Sequence, residues 1–303
     1  MFLENVLNVK NEWWRYFLGC IIIFIGTQLG SIPFVIAIFS KIGAEGASKI
    51  DQTSMMYVLE DNNLTLFYFL LPYLFGFIGI ILVIKFLHNQ TFLSITTSRK
   101  TIDFSKMRTS FTIASFFVIV TTVFSYIIYP DEYTYNFELT PFLILFSVVV
   151  LLIPLQTSWE EYVFRGYLMQ GIGGMVNNKW VPLIITSISF GLLHYWNPEV
   201  MKLGPVLLIH YVLTGLFFGI ITLMDKGMEL AIGFHAGNNM LIALLVTADW
   251  TVLQTNSILK SIGQPEIISI LIPIIILYPL TILYFSKKYN WKNWKENLTG
   301  KIK

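Results

Sequence analysis

The chain has little of what soluble enzymes use for chemistry. Cys20 is the single cysteine among 303 residues, which excludes an intrachain disulfide, a Cys-x-x-Cys redox pair and a cysteine metal cluster. It lies in an apolar run, where a thiol is inert core, so a cysteine protease is not expected. Charge is scarce as well: 13% of residues are charged against 55% hydrophobic, with 25 Phe. That composition belongs to a membrane protein and excludes the soluble globular class. A net charge of +2 leaves no surplus with which to hold nucleic acid. The chain also lacks a Gly-x-Ser-x-Gly elbow, a His-Glu-x-x-His helix and any internal repeat. No polar connection exceeds about 25 residues, so no separate domain is expected outside the membrane.

What the chain does have is apolar length. Eight runs can cross a hydrocarbon core of about 30 Å, near residues 16 to 39, 64 to 87, 109 to 128, 140 to 160, 180 to 197, 203 to 224, 229 to 248 and 266 to 286. The fold expected is all-α and polytopic, with eight transmembrane helices around a mid-membrane catalytic cavity. With both ends placed inside, the inner segments hold 16 of the 20 Lys and Arg, as the positive-inside rule requires. The location expected is the cell membrane, multi-pass, with both termini and residues 88 to 106 cytoplasmic. Residues 1–139 supply the first three helices, 140–248 the catalytic core, and 249–303 the last helix and a basic tail.

Into this apolar chain three polar clusters are set. Glu160, Glu161 and Arg165 follow some twenty almost uncharged residues, and unpaired at mid-membrane they would cost about 7–10 kcal/mol. Successive helical residues point about 100° apart, so Glu160 and Glu161 face different ways, while Glu161 and Arg165, at i and i+4, share a face and can pair. Glu160 is the carboxylate left free. His194 follows Phe190 at i+4. His235 and Asn239, again i and i+4, offer an imidazole and an amide to one point, as an oxyanion site would. If the fourth span continues as helix to about Gly171, then Glu160, His194 and His235 lie about 16, 21 and 14 Å from the inner face and can reach one cavity. Water would have to enter from the cytoplasmic side. His210 has no such partner and reads as packing; His88, in a basic segment, reads as solvated.

Glu-Glu-x-x-x-Arg (160 to 165), Phe-x-x-x-His (190 to 194) and His-x-x-x-Asn (235 to 239), in this order on successive hydrophobic helices, resemble the CAAX-protease and bacteriocin-processing intramembrane proteases, the Abi family, which includes the type II CAAX prenyl endopeptidases. The resemblance covers roughly residues 140 to 248. It implies an eight-helix intramembrane endopeptidase in which Glu160 and His194 activate a water and His235 with Asn239 stabilises the oxyanion. Glu161 and Arg165 fill the remaining motif positions. The implied partners are the lipid bilayer and a membrane-associated peptide or protein, processed at a CAAX-type C-terminus or as a bacteriocin-like peptide.

No cofactor is expected. The metal rival, a zinc endopeptidase on the same histidines and glutamates, has the wrong spacing, and Arg165 would compete with the cation for Glu161. Two non-proteolytic rivals remain. One is a transporter with a mid-membrane proton relay, which the lack of inverted repeats disfavours. The other is an immunity or scaffold protein on the same fold, which the intact motifs disfavour.

Overall fold

The computed structural model describes residues 2–50, 52–55, 57–264 and 266–302. Eight long helices occupy the eight apolar runs: α1 (Trp13–Ala47), α2 (Asn62–Leu82), α3 (Phe104–Ile128), α4 (Leu139–Glu161), α5 (Trp180–Leu193), α6 (Leu208–Asp225), α7 (Glu229–Leu245) and α8 (Ile267–Lys288). Polar caps set two of their starts. Asp61 accepts from the backbone N–H groups of Asn63 and Leu64 at α2, and Asp103 from those of Ser105 and Lys106 at α3. A π-helical turn, Val83–Leu87, extends α2. α4 continues without a break through π-helical Tyr162–Leu168 and α-helical Met169–Val176, a 38-residue rod that runs past the expected end at Gly171.

Six of the eight are long and apolar enough to cross a membrane: α1, α2, α3, α4, α6 and α8, the second and fourth with their extensions. α5 has 14 residues and α7 has 17, about 21 and 26 Å of helix. α5 stops four residues short of its expected end because Asn197 precedes Pro198, which disfavours helical geometry before it. The chain turns at His194, whose N–H donates to the Gly191 carbonyl, and then forms a short helix, Pro198–Leu203. Gly204, at φ 86°, reverses the chain into α6.

The connections sort into two ends. At one, the Tyr57 hydroxyl meets Asp249 at 3.0 Å and the Val252 N–H donates to Glu199 at 2.9 Å. A three-stranded ribbon also lies there and departs from the all-helical expectation: Tyr133–Tyr135 pairs antiparallel with Leu259–Ser261, which pairs parallel with Val246–Thr247. At the other end, Asn5 donates to the Ser94 carbonyl at 2.7 Å, Ser98 N–H to the Lys226 carbonyl at 3.0 Å, and Lys179 N–H to the Gly300 carbonyl at 3.1 Å. Successive helices therefore alternate in direction, and residues 2–10 and 289–302 share this second end.

The second end is built more tightly than a solvated loop. Arg99 reaches Asp225 at 2.7 Å and Glu229 at 3.0 Å, Lys106 pairs with Asp225, and the Trp291 indole donates to Asp225 at 3.3 Å. His88 corrects the sequence reading. It is fully buried, its Nδ1–H donating to the Lys10 carbonyl at 2.7 Å and its Nε2 accepting from the Tyr167 hydroxyl at 2.8 Å. Basic flanking sequence hid a residue that ties residues 9–12 to the π-helical part of α4.

α7 is enclosed along most of its length. It lies against α3 so closely that a Cβ on Gly233 or Gly237 would strike the Met107 or Phe111 carbonyl. α4 flanks it on another side through Leu145, Val149, Ile153 and Met240. Phe190 of α5 reaches it as well, its ring centre 6.2 Å from that of His235, so α4 and α5 both meet α7.

Candidate active site

The glutamates lie where α4 changes from α to π geometry. Glu161 is the last α-helical residue and Arg165 sits in the following π turn. Such wide turns arise where a helix must re-aim side chains. Arg165 Nη1–H donates to Glu161 Oε1 at 3.1 Å, with both side chains 0% exposed, and Nη2–H donates to the Gly215 carbonyl of α6 at 3.1 Å. Three aromatic rings surround the guanidinium, those of Phe190, Phe218 and Phe164, at 4.5, 5.3 and 5.7 Å from its carbon. A buried cation needs this much compensation: a counter-charge, a carbonyl and the negative faces of aromatic rings.

Glu161 serves a second partner. His235 Nδ1 lies 2.8 Å from the same Oε1, and the imidazole stacks on Phe218 with ring centres 4.8 Å apart. An ionised carboxylate only accepts, so Nδ1 carries the proton and Nε2 is turned toward Glu160 Oε2, 3.6 Å away. Glu160 is 12% exposed, with its other oxygen held by the Gln156 side-chain N–H one turn earlier. The neighbouring carboxylates are thereby divided. Glu161 Oε1 is shared by Arg165 and His235 while its Oε2 is buried without a partner, whereas Glu160 is held only by an amide and is partly exposed.

His194 stands at the C-terminal end of α5, just outside the helix. Its Nδ1–H donates to the Phe190 carbonyl at 2.7 Å, which fixes the tautomer and leaves Nε2 able to accept. Its ring stacks on Tyr211 of α6 at 4.1 Å and leans on Phe190 at 4.8 Å. Phe190 is the hub of the site, touching His194, His235, Phe164 and Arg165. Asn239, one turn beyond His235, accepts from Asn238 through Oδ1 at 3.0 Å, so its own amide N–H groups remain to donate.

Among the described residues no three His, Cys, Asp or Glu side chains converge on a common point. Glu161 is tied to Arg165, and His194 is anchored to the Phe190 carbonyl of α5.

Glu160, Glu161, Arg165 and His235 are joined by direct contacts, and Phe190 links His194 to them through ring packing. Asn239 lies on the same helix as His235 without a direct contact to either glutamate. Gln156 and Tyr211 were not found from sequence. Gln156 carried a usable signal, an amide four residues before a carboxylate. Tyr211 carried none, because its contact with His194 depends on how α6 packs on α5.

Residues 136–241, from just before α4 into α7, match the family of Rce1-like type II CAAX prenyl endopeptidases. The chain is also similar to the uncharacterized protein YyaK of Bacillus subtilis (strain 168), 29% identical over 240 residues, which span 78% of this chain and 79% of that relative. No solved structure matches it. All six polar site residues lie inside the matched stretch, and residues 136–241 form a domain of the Rce1-like type II CAAX prenyl endopeptidase family.

Proposed function

We propose that the protein is an intramembrane endopeptidase that hydrolyses a peptide bond with an activated water, acting on a membrane-associated peptide or protein. The observation that carries this reading is the division of labour between adjacent carboxylates: Glu161 Oε1 holds both the buried Arg165 and His235 Nδ1, and Glu160, bonded only by Gln156, turns its other oxygen toward His235 Nε2 at 3.6 Å. A base needs a carboxylate without a permanent cationic partner. In the proposed reaction a water held between Glu160 and His194 Nε2 attacks the carbonyl carbon and gives its proton to Glu160. The carbonyl oxygen takes up negative charge, which the Asn239 amide and the His235 Nε2–H stabilise. The C–N bond then breaks as the proton passes from Glu160 to the leaving amine. Because His235 Nδ1–H is given to Glu161, Nε2 can donate only from the imidazolium, and the two glutamates flank that cation.

The membrane arrangement proposed with this function has all eight helices crossing or entering the bilayer. The end bearing residues 2–10 and 289–302 is cytoplasmic, and water reaches Glu160 through a cavity. Eight of the basic residues expected on the inner side, Lys10, Arg99, Lys100, Lys179, Lys226, Lys292, Lys295 and Lys301, lie in the connections and terminal segments of that end among the described residues. The test compares membrane-protein fragments in cells carrying the wild type and Glu160→Gln. Fragments present with the wild type and lost with the variant identify substrates; identical fragment patterns at equal protein levels overturn the proposal.

A further inference from the structure

The structure pairs some of its basic residues and leaves others converging on a groove. At the second end, Arg99 and Lys106 are matched to Asp225 and Glu229. Arg108, two residues after Lys106, projects from the first turns of α3 into a groove of about 310 Å³ between α3 and the end of α8. Lys288 enters the same groove from α8, beside the hydroxyls of Thr109, Thr112 and Tyr284. Lys288 Nζ donates to the Tyr284 hydroxyl at 3.3 Å. Neither Arg108 nor Lys288 forms an ion pair among the described residues. Two like charges brought together from separate helices repel, and hydroxyls only partly relieve that, so the arrangement is complementary to an anion with several acceptor oxygens.

What lies beyond the groove identifies the anion's other half. From Thr112, the next turn of α3 presents Phe116, 67% exposed; from Tyr284, the preceding turns of α8 present Leu280 and Ile276, also exposed. α8 is held instead by α6, through Tyr278 stacked on Phe217 and bonded to Thr214. The cationic mouth therefore opens onto two apolar helix faces at the level where membrane-spanning helices leave the bilayer. Basic pockets between such helices suit anionic head groups, with the acyl chains lying along the helices.

We propose that the groove between α3 and α8 binds an anionic phospholipid, its phosphate held by Arg108 and Lys288 with the Tyr284 hydroxyl, and its chains lying along Phe116 and Leu280. The site is remote from the glutamates and does not depend on the protease reading. The test is thermal unfolding of the full chain in neutral detergent, titrated separately with phosphatidylglycerol, phosphatidylcholine and inorganic phosphate. Phosphatidylglycerol should raise the melting temperature saturably; phosphatidylcholine and free phosphate should not. R108Q/K288Q should weaken phosphatidylglycerol binding about thirtyfold and each single variant about fivefold, at roughly a factor of five per basic residue. K100Q/K295Q, which removes two exposed charges at the same end outside the groove, should stay within about twofold of the wild type. The proposal is overturned if R108Q, K288Q and their combination bind like the wild type, if K100Q/K295Q weakens binding equally, or if inorganic phosphate protects as fully as the lipid.

Discussion

His235 stands between two carboxylates and touches them unequally: Nδ1 is 2.8 Å from Glu161 and Nε2 is 3.6 Å from Glu160. The first distance is a charge-assisted hydrogen bond and the second is too long for one. Glu161 therefore sets the orientation of the imidazole while holding Arg165 in the core. Glu160 faces the other nitrogen of the same ring without a direct hydrogen bond to it. The different partners of these two consecutive residues follow from the 100° step of the helix together with α7 crossing at this level.

Glu161→Gln should act first on stability. It leaves Arg165 buried with no counter-charge and replaces a carboxylate that His235 donates to, and breaking a buried pair from one side costs about 3–5 kcal/mol. The melting temperature in detergent should fall clearly, and cleavage with it. A variant as stable as the wild type would show that the pair does not hold the site together.

Gln156→Met keeps the length of the side chain and removes the N–H that holds Glu160. A hydrogen bond to a charged group contributes about 1.5–3 kcal/mol, so kcat should drop about tenfold or more while KM stays near wild type, because Gln156 bonds to Glu160, the proposed base. An equal loss appearing only in KM would assign Gln156 to substrate binding instead.

These two contacts show what was legible in the chain. Glu161 with Arg165 was readable because both lie on one helix at i and i+4, where spacing fixes proximity. The hold of Glu161 on His235 was not, since it depends on how α4 crosses α7, a distance of 74 residues in sequence. The same limit explains His88. Its stretch of sequence is bounded by Lys85, Arg99 and Lys100, and its neighbours in space are Tyr16, Tyr167 and the Lys10 carbonyl. The eight apolar runs were visible as composition, but the early end of α5 and the ribbon at Tyr133–Tyr135 depended on proline and strand pairing beyond any single run.

His88 gives a pH dependence outside the spans. Burial holds its imidazole below the ordinary value of 6.5, with the Lys10 carbonyl offsetting part of the effect. With the folded value depressed, the unfolded chain binds more protons just below pH 6.5, so this contribution is complete above that pH and is lost as pH falls through it. Thermal stability should decline as pH falls below about 6.5, and His88→Gln should flatten that slope. An unchanged slope in the variant would place the titrating group elsewhere.

The alternation of the connections predicts opposite accessibility for Lys100 and Lys260. In a Cys20→Ser background, Lys260→Cys should react with a membrane-impermeant maleimide in intact cells, and Lys100→Cys only after permeabilisation. Lys260 lies in the ribbon and Lys100 follows the Thr96 to Ser98 segment bonded to residues 226–228. The reverse pattern would invert the proposed orientation, and labelling of both in intact cells would break the alternation itself.

Asn239→Ala separates charge stabilisation from framework. Asn239 is partly exposed, bonded only to its neighbour Asn238, and it makes none of the contacts that bind α4 to α7. Its loss should leave the melting temperature close to wild type. If its free amide N–H groups meet the developing oxyanion, removing one such donor costs about 10²–10³ in rate, expressed in kcat because the charge exists only in the transition state. Asn239→Asp tests the same point from the other direction. It keeps the size and the acceptor for Asn238 but presents negative charge to the oxyanion, so it should be at least as slow as the alanine variant while folding normally. Single-turnover cleavage and unfolding measured on both variants decide the matter: near-wild-type rates in Asn239→Ala, or an aspartate faster than the alanine, would remove Asn239 from the oxyanion site.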